Sequence, residues 1–373
     1  MSSPPLSLHS LIFPSASTSI STTLTSLKRQ NLSITNRLRS IRSDASFVLT
    51  IADHFNLPLI TNERCGSWYV PPERKAGSAY FKSTDGHAGQ WAFSLRRLNL
   101  QVLDVVGTGK GCIIVDSTRR GKSMPDALSK TAPIWIAVLN RLLFPEHPES
   151  HWLRTPEDVV SASEHAQIDA RLEGFVRDAR SLDLDLPALR AKLQRPMRAV
   201  WITPETDLGR TISTDEDHAY VMLCTASSRA SESSKLGAAY VQGAADDSEA
   251  WACGLDAVTF WANADALLAT SDDALSETIT TLMKKSTTSS RLPIRISPAY
   301  ALAVGDNASL IDSKSRLQDY DVIVEITRLT LPLRQPVPSK VEIKKRLSWI
   351  MASIPDVSPS RATLQSVNAH LMG

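Results

Sequence analysis

No C-x-x-C pair occurs in this chain of 373 residues, and its four cysteines, Cys65, Cys112, Cys224 and Cys253, stand far apart. That spacing excludes a zinc ribbon. A chain this long has no need of disulfide staples, so the cysteine usage fits a reducing compartment. No apolar run reaches the length that spans a bilayer, which argues against a transmembrane helix. Charge is nearly balanced, with 41 Lys+Arg against 39 Asp+Glu, so the protein is neither a polycation nor an acidic tail. The phosphate loop G-x-x-x-x-G-K-[ST] is absent, and so is the C-x5-R of cysteine phosphatases. Residues 1–26 contain no Asp, Glu, Lys or Arg, and therefore neither the early positive charge of a secretory leader nor the arginines of a mitochondrial presequence. Residues 1–27 are read as a disordered Ser/Thr-rich tail, and the expected location is cytoplasmic.

The basic residues that are present come in groups. Lys28, Arg29, Arg37, Arg39 and Arg42 all precede the first acid, Asp44. Arg96 and Arg97 join Arg119, Arg120 and Lys122 in a second group, and Lys340, Lys344, Lys345 and Arg346 form a third. Grouped cations in a near-neutral chain suit a phosphate-rich partner, or simply a solvated charged surface. Ile34, Leu38, Ile41, Ala45 and Val48 recur at helical spacing and predict an amphipathic helix with a basic outer face. LPLITNERCGSWYVPPE is read as loop, and GQWAFSLRRLNL as including a strand. A helix is expected from Pro125 to about Phe144, bent near Pro133, and TPED at 155–158 has the pattern of a helix start. Ile168, Leu172, Phe175, Val176 and Ala179 form one helical stripe.

RAVWI (198–202) and YVMLC (220–224) are read as strands, and their alternation with helices predicts an α/β fold with a largely parallel sheet. KKSTTSS at 284–290 has linker composition. This divides the chain into a larger first domain at 28–283, a linker at 284–292 and a shorter unit at 293–373. In the shorter unit DVIVEI is a strand, SKVE at 339–342 is a capping box, and Ser358 and Pro359 open a last helix.

The densest chemistry lies in CIIVDSTRRGKSMPDALSKT, residues 112–131. A buried strand there runs into a polar turn and then a helix start. That order brings backbone N–H groups to the sheet edge where open α/β sheets bind anions. Arg119, Arg120 and Lys122 suit phosphate oxygens, with Ser117, Thr118 and Gly121 in the same loop. Asp116 closes the strand, as an acid does in phosphoribosyltransferases, although the second acid of that pattern is missing. The alternative is an ordinary charged β–α loop. Asp85 and His87, in STDGHAGQW, form either an acid/base or ribose-binding pair or a capped turn. Asp246 and Asp247, in QGAADDSEAW, can reach Mg²⁺ or form a solvated acidic loop. CTASSRA spaces Cys224 and Arg229 by four residues and is not a phosphatase loop.

Taken together, NRLRSI, LPLITNERCGSWYVPP, AYFKSTDGHAGQWAFSLRRLNL, GCIIVDSTRRGKSMPDALSKTAPIW, YVQGAADDSEAW and PSRATLQSVNAHLM resemble the initiator tRNA phosphoribosyltransferases. These attach a ribosyl phosphate to the 2′-hydroxyl of adenosine 64. The resemblance implies phosphoribosyl pyrophosphate as donor, initiator tRNA as acceptor, and Mg²⁺ on the pyrophosphate, with no membrane and no obligate protein partner. It implies donor binding by Ser117, Thr118, Arg119, Arg120, Gly121 and Lys122, and catalytic roles for Asp116 or the Asp85/His87 pair. It implies RNA contacts from Arg37, Arg39, Arg42, Arg96 and Arg97, and a weak metal role for Asp246 and Asp247. The family's second domain resembles dual-specificity phosphatases. Here only LTLPLRQPVPSK separates DVIVEI from the helix at Val341, so a shortened phosphatase-like domain without its cysteine loop is expected, together with impaired transfer or tRNA binding alone. Ala245 stands where the family pattern leads one to expect glycine.

Overall fold

Every residue of the apolar run Cys112–Val115 is buried, because the strand that contains it, β3 (Gly111–Asp116), lies in the middle of a sheet. The computed structural model describes residues 32–84, 89–119, 121–208, 215–229, 240–286, 294–297 and 302–304. Five parallel strands, β1 (Leu59–Asn62), β2 (Lys75–Ala79), β3, β4 (Met197–Ile202) and β5 (Ala219–Thr225), lie in the order β2-β1-β3-β5-β4. A separate antiparallel pair is formed by β6 (Ile294–Ser297) and β7 (Leu302–Val304). The protein is an α/β protein.

Helices cover both faces of the sheet, which is why its central strands are apolar throughout rather than alternating. On one face Ile113, Val115, Met222 and Cys224 pack under α1 (Ile34–Phe55), α7 (Ala257–Ala262), α8 (Ala264–Ala269) and α9 (Asp272–Ser286). On the other, Cys112, Ile114, Val221 and Leu223 pack against α2 (Gln101–Gly109), α3 (Ala132–Leu143), α4 (Ala162–Asp169), α5 (Leu172–Arg180) and α6 (Leu186–Leu193). Successive residues of β3 thus feed opposite cores, as the two-residue period of a strand requires.

Helix α1 follows the predicted stripe, with Leu38, Ile41, Ala45 and Val48 buried, and it is longer than that stripe at its C-terminal end. The Ser33 side chain caps it by accepting from the Asn36 N–H at 3.2 Å. The helix expected from Pro125 opens instead with a wide π-type turn, Ala127–Thr131, before α3. Pro133 has no N–H for the preceding turn, and a π-turn accommodates that loss.

Several expectations are corrected. TPED starts no helix: Pro156 accepts from the Val159 and Val160 N–H groups in a turn. The cap is Ser161, which accepts from Glu164. The stripe from Ile168 to Ala179 belongs to two helices, α4 and α5, broken at Ala170 and Arg171. LPLITNERCGSWYVPPE contains β1, and KAGSA forms β2. GQWAFSLRRLNL contains no strand, and its Trp91, Phe93 and Leu98 are buried from irregular backbone. Helix α9 runs on through Ser286, into the stretch read as linker. DVIVEI, SKVE and the final helix lie outside the described residues, as does the N-terminal tail to residue 31. Among the described residues no helix is long and apolar enough to cross a membrane.

Glu63, just past β1, ties this edge of the sheet together. Its carboxylate accepts from Thr61 (2.8 Å), Ser67 (2.9 Å), Ser78 (2.6 Å) and Lys75 (2.6 Å). Burial alone would raise its pKa, but the bonds from Lys75, Ser78 and Thr61 outweigh burial and hold it below the usual glutamate range. A depressed carboxylate stabilises the fold above its unfolded pKa, about 4.3, and that contribution disappears as pH falls through the folded value. Glu63→Gln should therefore cost about 1–2 kcal/mol at neutral pH. In urea denaturation the gap from wild type should narrow below about pH 4. A gap that stays constant with pH would show that the charge of Glu63 is not what matters.

Candidate functional site

The pairings Thr61↔Val115 and Asp116↔Thr225 bring Asn62, Asp116 and Thr225 side by side at the C-terminal edge of the sheet. After β1 the chain turns toward one end of the sheet, and after β3 toward the other. The loops that follow them diverge and leave a crevice, the usual ligand position in open α/β sheets.

Arg64, the second residue after β1, organises what lies under that crevice. Its guanidinium pairs with Asp116 at 3.2 Å and Asp246 at 2.8 Å, and it donates to the Ser117 carbonyl. Burial opposes the Arg64 charge, but Cys65, Asp116 and Asp246 outweigh it and raise its pKa. Asp116 is fully buried and accepts from five donors: Arg64 through two nitrogens, Asn62 Nδ2 (2.8 Å), Cys65 Sγ (3.1 Å) and the Ser117 N–H (2.7 Å). The residue read as a catalytic acid therefore sits beneath the loop with both oxygens engaged. Burial, and then the negative charge of Asp116, push the Cys65 thiol well above its ordinary pKa, so it is a neutral donor rather than a nucleophile.

The loop after β3 is held from two further segments. Ser227 Oγ accepts from the Thr118 N–H and donates to the Thr118 carbonyl, both at 3.2 Å. Gln242 accepts from the Gly121 N–H at 3.2 Å and donates to the Lys122 carbonyl at 2.8 Å. Gly243, at φ +65°, passes so close that a Cβ there would lie 2.5 Å from the Thr118 carbonyl oxygen. Backbone N–H groups expected to cradle an anion are thus already engaged at Ser117, Thr118, Gly121 and Lys122, the last bonded to the Arg119 carbonyl. The capacity for anions lies in side chains.

Lys122, Lys130 and Arg229 line a cleft of about 620 Å³ beside the loop, with Gly121, Asp126 and Gln242. Asp126 lies between Lys122 (3.4 Å) and Lys130 (3.6 Å) and accepts from Thr84 at 3.0 Å. Arg119 is largely exposed and reaches Asp246 at 3.8 Å. The buried hydroxyls of Thr118 and Thr225, and Asp246 Oδ2, have no hydrogen-bond partner among the described residues. Burial raises the Asp246 pKa, and of the other charges Arg64 opposes the shift while Asp116 adds to it.

The remaining candidates are spread out. Asp85, His87 and Arg120 lie outside the described residues. Asp247 is exposed at φ +52°, next to the buried Asp246. Arg37 faces inward: it donates to the Ala244 carbonyl at 2.8 Å and lies 5.2 Å from the Trp251 ring centre. Arg39 is exposed, and Arg42 pairs with Asp265. Arg96 is exposed, while Arg97 lies over Tyr80 next to the opposite core. The two arginine groups therefore occupy opposite faces of the sheet and form no single patch. Arg64, Asn62, Gln242, Ser227, Lys130 and Arg229 are site residues that single-motif reading overlooked. Their sequence signal was only their place in longer stretches: Asn62 and Arg64 in LPLITNERCGSWYVPP, Lys130 in CIIVDSTRRGKSMPDALSKT, Ser227 and Arg229 in CTASSRA, and Gln242 in YVQGAADDSEAW.

Residues 27–284, which include this entire edge of the sheet, match the family model of the Rit1 N-terminal domain. The chain belongs to the Rit1 family. Residues 296–371 match the Rit1 DUSP-like domain. The Rit1-family chain is 46% identical over 255 residues to an uncharacterized protein of Schizosaccharomyces pombe, an alignment covering 66% of this chain and 56% of that protein. It is 41% identical over 286 residues to the Saccharomyces cerevisiae tRNA A64-2′-O-ribosylphosphate transferase, covering 68% of this chain and 55% of the transferase. It thus spans about half the length of the curated relatives it matches. No solved structure matches. Ala245 of this Rit1-family chain is buried, and its N–H donates to the Tyr69 hydroxyl at 3.1 Å.

Replacing Arg64 with Ala would leave Asp116 and Asp246 buried without their cation, a change that costs about 3–5 kcal/mol. Arg64→Lys should recover part of the loss, because an ammonium cannot span two carboxylates and a carbonyl as a planar fork does. Thermal and urea denaturation read both variants. Wild-type stability in Arg64→Ala would remove Arg64 from the centre of this network.

Proposed function

We propose that this chain is a tRNA-modifying glycosyltransferase that moves a 5-phosphoribosyl group from phosphoribosyl pyrophosphate to the 2′-hydroxyl of adenosine 64 of initiator tRNA. One observation carries the proposal: a cleft with Lys122, Lys130 and Arg229 on its walls opens beside the loop that follows β3, at the C-terminal edge of a parallel sheet. The relationship to the yeast transferase supports a tRNA and ribosylphosphate chemistry for that cleft.

In this reading the sugar's C1–O bond to pyrophosphate breaks, a bond from C1 to the tRNA 2′-oxygen forms, and the hydroxyl proton passes to a base. Arg119, Lys122 and Arg229 take the phosphate charge, with Arg120, Ser117, Thr118 and Gly121 completing the donor loop. Asp116 does not act on substrate: its oxygens are saturated, and it fixes the loop from below. The proton then falls to the Asp85/His87 pair, which follows Thr84 in sequence, and Thr84 is bonded to Asp126 on the cleft wall. Arg39 and Arg42 serve to track tRNA phosphates.

Among the described residues no group of three His, Cys, Asp or Glu side chains can cage a metal. Asp246 Oδ2 is a buried carboxylate oxygen without a hydrogen bond, and it fits a Mg²⁺ ion held mostly by substrate phosphates and water. Asp246 would hold the ion through that one oxygen, and the ion would neutralise charge on the departing pyrophosphate.

Calorimetry with phosphoribosyl pyrophosphate tests the donor site. Arg119→Ala and Lys122→Ala should each weaken binding by roughly 1.5–3 kcal/mol, the contribution of a charge-assisted bond. Unchanged affinity in both would overturn the assignment. His87→Ala should preserve donor affinity and slow transfer to tRNA. The short LTLPLRQPVPSK connection favours a second reading, a tRNA-binding form with impaired transfer. Binding of both substrates without ribosyl-phosphate transfer by the intact chain would select it.

A further inference from the structure

Trp152 is the most exposed large apolar side chain among the described residues, at 71%. Its backbone is nonetheless firmly held. Asn140 donates to the Ser150 carbonyl at 2.9 Å, and Arg141 Nε donates to the His151 carbonyl at 3.0 Å. His151 Nε2 bonds to the Phe144 carbonyl at 2.9 Å, and Leu153 is buried. The segment therefore buries Leu153 and leaves Trp152 and Arg154 exposed. An indole exposed on a rigid mount needs a reason, because water is a poor environment for it and nothing in the core requires it there.

Two clefts share that indole. One, of about 170 Å³, is lined by Trp152, Arg154, Arg198 and His218; the other, of about 390 Å³, by Trp152, His151 and Arg180. The nearby acids are matched: Asp215 by Arg198 (3.1 Å) and His218 (2.7 Å), Glu173 by Arg141 (2.6 Å), and Glu149 by His147 (3.0 Å). The guanidinium groups of Arg154 and Arg180 form no ion pair or hydrogen bond among the described residues. An aromatic face with an uncommitted guanidinium on each side is complementary to a nucleobase and the phosphates flanking it. A protein-docking face would carry a broader contiguous exposed apolar area than one indole with Pro145 and Pro148 beside it.

The position matters as well. Met197 and Arg198 begin β4, and His218 immediately precedes β5, so this surface lies at the N-terminal edge of the sheet. The transfer cleft is at the other edge, a strand length of roughly 20 Å away. We propose that Trp152, flanked by Arg154 and Arg180, is a stacking platform for an unpaired nucleotide of the RNA substrate, remote from the transfer cleft. The proposal rests on the tRNA reading above and adds a second contact to it.

Fluorescence anisotropy with a labelled tRNA transcript tests it on the intact chain. Trp152→Ala should weaken binding about tenfold, the effect of losing one base stack. Trp152→Phe should keep most of the affinity. Trp152→Leu should lose as much as Ala, because it retains apolar area but has no π face. Arg154→Glu and Arg180→Glu should each weaken binding and lower the salt slope by about one. Calorimetric binding of phosphoribosyl pyrophosphate should stay at the wild-type level in every variant, which separates this surface from the cleft. Wild-type tRNA affinity in both Trp152→Ala and Trp152→Leu would overturn the platform and leave the proposed function intact. Full affinity in Trp152→Leu alone would make the contact a generic apolar one, and that also overturns the proposal. A wild-type chain that binds donor but no tRNA would overturn the platform and the tRNA reading together.

Discussion

One guanidinium, that of Arg64, holds two buried carboxylates and a backbone carbonyl drawn from two distant stretches of the chain. A carboxylate as buried as Asp116 is tolerable only when paired and hydrogen-bonded. The pairing fixes where β1 ends relative to β3, and through Asp246 it fixes the 242–247 segment above them. Gln242 and Gly243 then press that segment against the loop. Tyr240 extends the same construction to α1: its hydroxyl donates to the buried Asp44 at 2.8 Å and accepts from the Ser228 N–H at 2.9 Å. The loop that forms the cleft is therefore shaped from below by charge and from the sides by amide and hydroxyl bonds.

This arrangement separates rigidity from recognition. The groups that hold the loop are backbone amides and buried polar side chains, and they have little capacity left for a ligand. The groups that face the cleft are long cationic side chains, which adapt to the oxygens they meet. The hydroxyls of Ser117, Thr118 and Thr225 and the Oδ2 of Asp246 are buried here without a hydrogen-bond partner among the described residues, and Thr225 ends β5 beside the end of β3.

The strongest sequence signals were those in which local pattern and burial agree. The Cys112–Val115 run, the α1 stripe and the strands at 198–202 and 220–224 were all legible, because a strand covered on both faces or a helix with one buried face writes its period into the chain. β1 and β2 were not. They are four and five residues long, and they are strands because β1 pairs with β3 and β2 with β1 rather than because of their own composition. TPED misled because a proline-led turn and a helix start share their first residues. At the site, the cationic loop was legible from its density of charge. Arg64 and Gln242 were not, because their importance comes from tertiary partners 52 to 182 residues away for Arg64 and 120 to 121 away for Gln242. Asp116 was singled out correctly as unusual, yet an acid closing a buried strand looks the same in sequence whether it faces substrate or a buried arginine.

The strand order also constrains how the molecule comes into being. β4 is an edge strand whose sheet neighbour is β5, and β5 follows it in the chain while lying between it and β3. A polypeptide emerging from the ribosome up to β4 has one three-stranded sheet and a fourth strand with nothing to pair with. Only when residues 219–225 appear can the gap close, and the residues that clamp the cleft loop, Ser227 and Gln242, come later still. Parallel pairing at such separations is slow, because loop entropy is lost before contacts repay it. The edge of the sheet that carries the candidate site is thus among the last features to form during synthesis, and the apolar flanks of β3 and β4 stay uncovered until β5 is in place.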